Sequence, residues 1–199
     1  EVIGNLTSAL GPIDWDTTFR NIGSGERAYA KAVDICREFA QVVSERTGHK
    51  STVIEVRKRP NTLPIYTLVL FSRDARAHWD YCDQAGLAHI DFLHKCDEDD
   101  YRAQLQDLEK EREMGGMGLF DGGEDEKPPA PDRSSIDAKI ELAAIEYLLD
   151  RTPKLLSEAG KPVKFVNNPA LLYGDWVGRA RTKHVRKALR ALGKAGVID

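Results

Sequence analysis

Residues 51–71 read STVIEVRKRPNTLPIYTLVLF, and this stretch decides the fold. Its β-branched residues predict a first strand over residues 51–56, and a nearly continuous apolar run predicts a second strand over residues 64–71. The residues between these runs are too few for the crossover that parallel strands need, so we expect an antiparallel hairpin. Because the second run is apolar at almost every position instead of alternating, we expect that strand to be covered on both faces.

The segments around the hairpin add helices and one more strand. Apolar residues recur at a helical period over residues 26–47, and Gly48 ends that pattern. Residues 1–6 have a strand-like composition, and a second helix is expected at about 74–86. A parallel strand–helix–strand unit followed by an antiparallel strand is the closing half of an open α/β sheet. We therefore expect an α/β fold whose first strands lie upstream of Glu1, in a longer polypeptide.

Charge and composition divide the chain into three parts. Residues 1–96 are predicted to hold the half-sheet. Residues 97–126 carry 12 acidic residues against three basic ones, which predicts a solvated acidic helix and then a flexible linker that ends at residue 133. Residues 134–199 are predicted to form a separate module. From Arg133 onward there are 13 Lys and Arg against 7 Asp and Glu, although the whole chain has a net charge of −3.

The bulk composition excludes several classes of protein. The 199 residues are 41% hydrophobic and 31% charged, which is typical of a globular protein and excludes a disordered one. No apolar run approaches the roughly 18 residues of a membrane span, so we expect a cytoplasmic protein with no membrane partner. Cys36, Cys82 and Cys96 are widely spaced and odd in number, which argues against a disulfide scaffold.

The basic module has the element order of a winged helix. Ser134 lies three residues before Asp137, a capping-box pattern that opens a helix. Three helices with a strand after the third are the outline of a winged-helix-like helical module, which we expect to follow the half-sheet. The remaining predicted elements are a short strand over residues 162–167, a short helix over 169–173, a basic helix over 182–192 and a terminal strand that starts at Gly196.

The final helix, RARTKHVRKALRALGK over residues 179–194, is amphipathic. Val185, Ala188, Leu189 and Leu192 share one face at helical spacing, and cations line the other face. A cationic face of this kind indicates nucleic-acid contact; the alternative interpretation is a solvated face on a small packing domain. The predicted nucleic-acid-binding residues are Arg179, Arg181, Lys183, Arg186, Lys187, Arg190 and Lys194.

Other motifs have plain structural interpretations. The G-x-G-x-x-A letters of residues 23–28 lack a preceding strand, so we interpret them as a turn with Ser24 as a helix N-cap. Trp176 is interpreted as a core anchor rather than a stacking aromatic. One cluster of thiols and imidazoles matches no regular zinc spacing, so no metal site is predicted, and no catalytic set is recognisable. That cluster comprises Cys82, His89, His94 and Cys96, with His78 nearby, and its histidines are expected to be polar surface residues.

Four stretches carry a resemblance to a known family: residues 1–5, 64–72, 118–120 and 182–192. In their order, the chain resembles the carboxy-terminal portion of the three-Cys-motif partner protein family (TcmP). This resemblance implies a Rossmann-like, methyltransferase-like sheet in a bacterial or phage-associated protein. The S-adenosylmethionine site of such a parent would lie upstream, and only Asn5, at the end of the first strand present, would face it. The implied protein partner is the neighbouring three-Cys-motif protein.

Two functions follow from these features. The leading prediction is a methyltransferase-like parent that acts on or with DNA or RNA, held by the basic module, and this chain is expected to lack activity by itself. The alternative is a non-catalytic protein–protein interaction module that docks a partner protein, with the acidic segment masking the basic face in cis.

Overall fold

The computed structural model describes residues 26–115, 127–160 and 163–198. Within these ranges the protein is α/β and mostly helical, with one two-stranded antiparallel sheet. Short 3-10 turns, Phe165–Asn167 and Gly174–Trp176, flank the fourth helix. The main elements are α1 (Glu26–Thr47), β1 (Lys50–Arg57), β2 (Pro64–Ser72), α2 (Ala75–Gly115), α3 (Arg133–Ala159), α4 (Pro169–Tyr173) and α5 (Thr182–Lys194).

The predicted hairpin is confirmed, as is the helix that precedes it. β1 and β2 pair antiparallel in a register that sets Ser51 opposite Phe71, and a bulge interrupts the pairing between Val56 and Arg57. Helix α1 packs on one face of this sheet, where Phe39 meets Phe71 edge to face with ring centroids 6.1 Å apart. Gly48 ends α1 in the left-handed conformation that its sequence position predicted.

The second strand is more exposed than its composition suggested. Ile65 and Tyr66 retain 58% and 53% of their accessible surface, and Leu68 is exposed as well. The expectation that β2 is covered on both faces was wrong. The first residue of the strand, Pro64, is buried and residues 69–72 are half-buried, so the exposure is concentrated over residues 65–68. The continuous apolar run therefore predicted the strand correctly, but it did not predict how much of the strand other elements cover.

Helix α2 is much longer than the predicted helix at 74–86. It runs for 41 residues and passes without interruption through the predicted boundary between residues 96 and 97. The acidic run does not break it, because its carboxylates pair with cations three or four residues away, such as Asp99 with Lys95 at 3.0 Å and with Arg102 at 3.4 Å. No Pro lies within it, and it ends where the glycines at 115 and 116 begin.

The three predicted helices of the basic module form in the predicted order, and they enclose the main core together with α2. Helix α3 begins two residues earlier than the capping-box pattern suggested, because the carboxylate of Asp132 accepts a hydrogen bond from the Ser134 amide at 3.0 Å. Pro169 starts α4. The fully or almost fully buried core residues are Cys82, Ala144, Leu148, Leu172, Tyr173, Ala180, Val185 and Ala188.

Both strands predicted in the basic module are absent from its described part. Residues 165–167 form a 3-10 turn, and residues 196–198 form no strand. Isolated β-branched residues such as Val166 and Val197 gave these predictions, but each is exposed and has no neighbouring strand to pair with. The described residues thus contain no wing.

Several predictions fall outside the described residues. These are the strand over residues 1–6 with Asn5, the N-cap at Ser24, and the linker stretch 118–120. The parallel pairing that would complete a Rossmann-like sheet depends on the first of these and stays a prediction. None of the helices described combines the length and the apolarity needed to cross a membrane.

Candidate nucleic-acid interface

Helix α5 has the two faces that its sequence predicted. Val185, Ala188 and Leu192 are buried against α3, and Leu189 is half-buried beside them. This packing fixes which side of the helix faces solvent. The cations on the opposite side are all exposed: Lys183, Arg186, Lys187, Arg190 and Lys194.

The amino-terminal end of α5 is held by a carboxylate from α2. Asp83 accepts a hydrogen bond from the Thr182 amide at 2.8 Å through Oδ1, and from Arg181 Nη2 at 3.0 Å through Oδ2. Burial alone would raise the pKa of Asp83, but the hydrogen bonds from Arg181 and Thr182 outweigh it and lower this pKa below its usual value. Asp83 therefore acts as an N-cap supplied from another helix.

Close backbone contact fixes α2 against the segment that precedes α5. A Cβ added to Gly86 would lie 2.6 Å from the carbonyl oxygen of Ala180. Only glycine allows this approach. Beside it the Tyr173 hydroxyl lies 3.2 Å from the Thr182 hydroxyl, and the Tyr173 ring packs on Trp79 with centroids 5.7 Å apart.

The structure divides the seven predicted cations into three groups. Arg181 is tied to Asp83, and Lys187 is tied to Glu141 of α3, so the charge of each is partly neutralised within the fold. Arg179 is exposed and lies apart from the helix face, near His89; burial first, and then this nearby charge, lowers the pKa of His89 to about 4. The other four make no ion pair among the described residues. We call Lys183, Arg186, Arg190 and Lys194 the cationic stripe.

An open groove of about 450 Å³ runs between α2 and α5. Its α2 wall carries Asp80 and Asp83, and its α5 wall carries cations of the stripe. Asp83 lies at the amino-terminal end of α5, where it binds the Thr182 amide, whereas the stripe continues toward the carboxyl end. An anion in this groove is therefore repelled at one end and attracted along the rest.

His184 is a member of this site that the sequence analysis did not identify. Its side chain is buried, and its Nδ1 accepts a hydrogen bond from the Arg181 amide at 3.1 Å. Burial, aided by the charge of Lys183, lowers the pKa of His184 to about 4, so the ring is neutral near pH 7. His184 lies three residues after Arg181, which is the spacing of a capping box. This spacing is the sequence signal that could have identified it.

The thiol and imidazole cluster does not converge on a common point. His78 Nδ1 bonds the Thr52 hydroxyl at 2.7 Å, and His94 Nε2 bonds Asp137 at 2.8 Å. Both rings are buried, so the interpretation of these histidines as polar surface residues was wrong. Burial, with a smaller contribution from Asp83, raises the pKa of the Cys82 thiol to about 12. No group of three metal-ligating side chains occurs in the described part of the chain.

Trp176 packs against protein rather than standing free as a stacking platform. It is half-buried, and its ring centroid lies 5.9 Å from that of Tyr147.

Comparison of the chain with family models, with curated proteins and with solved structures finds no match. The resemblance to the three-Cys-motif partner family thus rests on the four sequence stretches alone and stays a prediction.

Proposed function

We propose that this protein binds nucleic acid through the exposed side of α5. The observation that carries the proposal is the cationic stripe, which presents four positive charges on one helix face, none of them in an ion pair among the described residues. Packing of the opposite face against α3 holds these charges toward solvent. A rigid row of cations is the electrostatic footprint expected for a polyanion.

The spacing of the stripe supports a phosphodiester backbone as the ligand. Successive members are three or four residues apart, which separates them by about 4.5 to 6 Å along the helix axis. Phosphates of one DNA strand follow each other every ~3.4 Å along the duplex axis, so with α5 aligned along that axis each helix step spans one to two phosphates. A multiply charged strand can therefore engage several members at once.

A salt titration of the full chain with a labelled DNA duplex tests this proposal. Affinity should fall linearly with the logarithm of salt concentration, with a slope of about −3.6 if all four stripe members each neutralise one phosphate. Charge reversal of Lys183, Arg186 and Arg190 to Glu should abolish binding at low salt. A control with the same change in charge, made at Arg102, Lys110 and Lys154, should retain binding. No binding by the unmodified chain at low ionic strength would sink the proposal.

The resemblance extends the proposal to a methyltransferase-like protein that uses S-adenosylmethionine. The proposed cofactor site needs the half-sheet predicted upstream of Glu1, so the test is calorimetric titration of S-adenosylmethionine into a polypeptide extended by any coding sequence found upstream and into this chain. Heat from the extended polypeptide and none from this chain is the expected result. Absence of binding to both would leave a nucleic-acid-binding protein without this cofactor.

A second candidate function is docking of a protein partner, and it is favoured by the exposed start of β2. Leu63, just before this strand, and Ile65, Tyr66 and Leu68 within it are exposed apolar residues. The three-Cys-motif protein implied by the resemblance is the partner to test. Replacement of Ile65 and Tyr66 by Asp should abolish its co-purification with the full chain, whereas charge reversal of the cationic stripe should not.

A further inference from the structure

We propose that α5 grips the sugar–phosphate backbone with its side and does not read bases with its amino-terminal end, so that binding is independent of base sequence. This inference rests on the proposed binding of nucleic acid. In helix-turn-helix proteins the recognition helix contacts base edges through its amino-terminal residues. The surroundings of the corresponding end of α5 oppose that mode.

The polar groups at that end are already used inside the fold. Asp83 accepts hydrogen bonds from both the Thr182 amide and the Arg181 guanidinium. The Thr182 hydroxyl lies within hydrogen-bond distance of the Tyr173 hydroxyl. Side-chain exposure is only 26% for Arg181 and 23% for Asp83, so the pair is largely shielded from a ligand. The Thr182 amide and the Arg181 guanidinium are therefore not free to meet a base edge.

Helix α2 also blocks the approach to this end. Its Gly86 is in backbone contact with Ala180, which leaves no space between α2 and the residues just before α5. The Asp83 carboxylate lies there, bound to the first amide of α5. A phosphate entering end-on would meet this carboxylate, so both shape and charge direct the ligand toward the side of the helix.

The cationic stripe offers a suitable alternative surface. From Lys183 to Lys194 it extends over about 16 Å of helix, which corresponds to roughly five phosphates of one strand. Contacts of this kind fix position and carry no base information. The described residues include no wing strand that could supply a second reading element. The proposed ligand is thus a nucleic-acid backbone of any sequence.

Two arginines of one segment give a matched pair for the test. Arg181 is tied to Asp83, and Arg190 belongs to the cationic stripe. We would measure binding of the full chain to three labelled DNA duplexes of unrelated sequence, at several salt concentrations, for the unmodified protein, Arg181→Gln and Arg190→Gln. The three duplexes should bind within about threefold of one another, since phosphate contacts weaken or strengthen binding uniformly across sequences.

The two arginine variants should differ in affinity and in the salt dependence of binding. Arg190→Gln should weaken binding to all three duplexes and reduce the salt slope by about 1, and Arg181→Gln should leave the slope unchanged. If Arg181→Gln does not fold, Asp83→Asn replaces it: the amide retains an acceptor for Thr182 and removes a negative charge, so affinity should rise. A preference of more than about tenfold for one duplex, or an equal loss in both arginine variants, would overturn the inference while leaving nucleic-acid binding intact. Failure to bind any duplex would instead remove the proposed function, and this inference with it.

Discussion

The two halves of α2 belong to one continuous helix but have opposite surroundings. Residues 75–96 contact the hairpin, α4 and α5, and they contribute Cys82, Ile90 and Cys96 to the buried interior. Residues 97–115 have no fully buried side chain among those described, and their main contacts are ion pairs such as Asp107 with Lys110. In residues 75–96, which we call the packed half, the neighbouring backbone and side chains restrict which side chain fits at each position. In residues 97–115, the outer half, helix propensity and charge pairing determine which residues are favourable.

The largest effect is expected from Gly86→Ala in the packed half. The new methyl group would meet the Ala180 carbonyl at 2.6 Å, so α2 and the α5 segment must move apart. We expect a loss of about 2 to 3 kcal/mol in the free energy of unfolding, as for other overpacked sites. Urea denaturation followed by circular dichroism measures it.

A control in the outer half sharpens this comparison. Ala103 is exposed, and Ala103→Gly should cost only about 1 kcal/mol, the difference in helix propensity. If Gly86→Ala proved no more destabilising than Ala103→Gly, the close approach of α2 to α5 would be refuted.

The next effect concerns a carboxylate in each half. Asp83→Ala removes the cap of α5 and leaves Arg181 without its partner, so we expect a loss of about 1.5 to 3 kcal/mol. Asp107→Ala removes only an exposed pair with Lys110 and should change stability by less than about 0.5 kcal/mol. Equal effects of the two substitutions, measured by the same denaturation, would show that Asp83 caps nothing.

A smaller effect on stability is expected from a change in pH. It arises at His184, where α5 meets the packed half of α2. The pKa of His184 is about 4 in the folded protein, below its ordinary value of 6.5. Between these values the unfolded chain binds a proton that the folded chain does not, so stability decreases as pH falls from 6.5 toward 4. His184→Gln retains an acceptor for the Arg181 amide and removes this titration.

Thermal melts across that pH range check the prediction. The slope of stability against pH should be smaller in His184→Gln than in the unmodified protein. It should not vanish, because burial and Arg179 lower the pKa of His89 in the same direction. An unchanged slope would mean that His184 is already accessible to protons in the folded state.

The smallest effect is expected from Arg102→Gln in the outer half. Its guanidinium lies 3.4 Å from Asp99 and 3.8 Å from Glu98. The exposed fractions of the side chains are 58% for Arg102, 37% for Asp99 and 32% for Glu98. Exposed pairs of this kind contribute little, so unfolding free energy should change by no more than about 0.5 kcal/mol. A loss larger than about 1 kcal/mol would indicate that this half of α2 has a packing partner.

The sequence predicted those structural features that depend only on residues close together along the chain. The hairpin follows from β-branching and a short turn, and the two faces of α5 follow from apolar spacing around Val185. The N-cap from Asp83 had no local signal, because this residue lies 99 positions before Thr182. The exposed start of β2 and the length of α2 were likewise missed, since coverage of a strand and persistence of a charged helix depend on contacts made far along the chain.

The uninterrupted course of α2 has a mechanical consequence. At about 1.5 Å per residue its 41 residues make a rod of about 60 Å, and an α-helix without Pro resists bending. Asp83 and Gly86, near one end, fix the start of α5, while the far end has no buried side chain among the described residues. Between the two ends His94 is bonded to Asp137 of α3 at 2.8 Å, so a load applied at the far end would be transmitted to α3 before it reaches the amino terminus of α5.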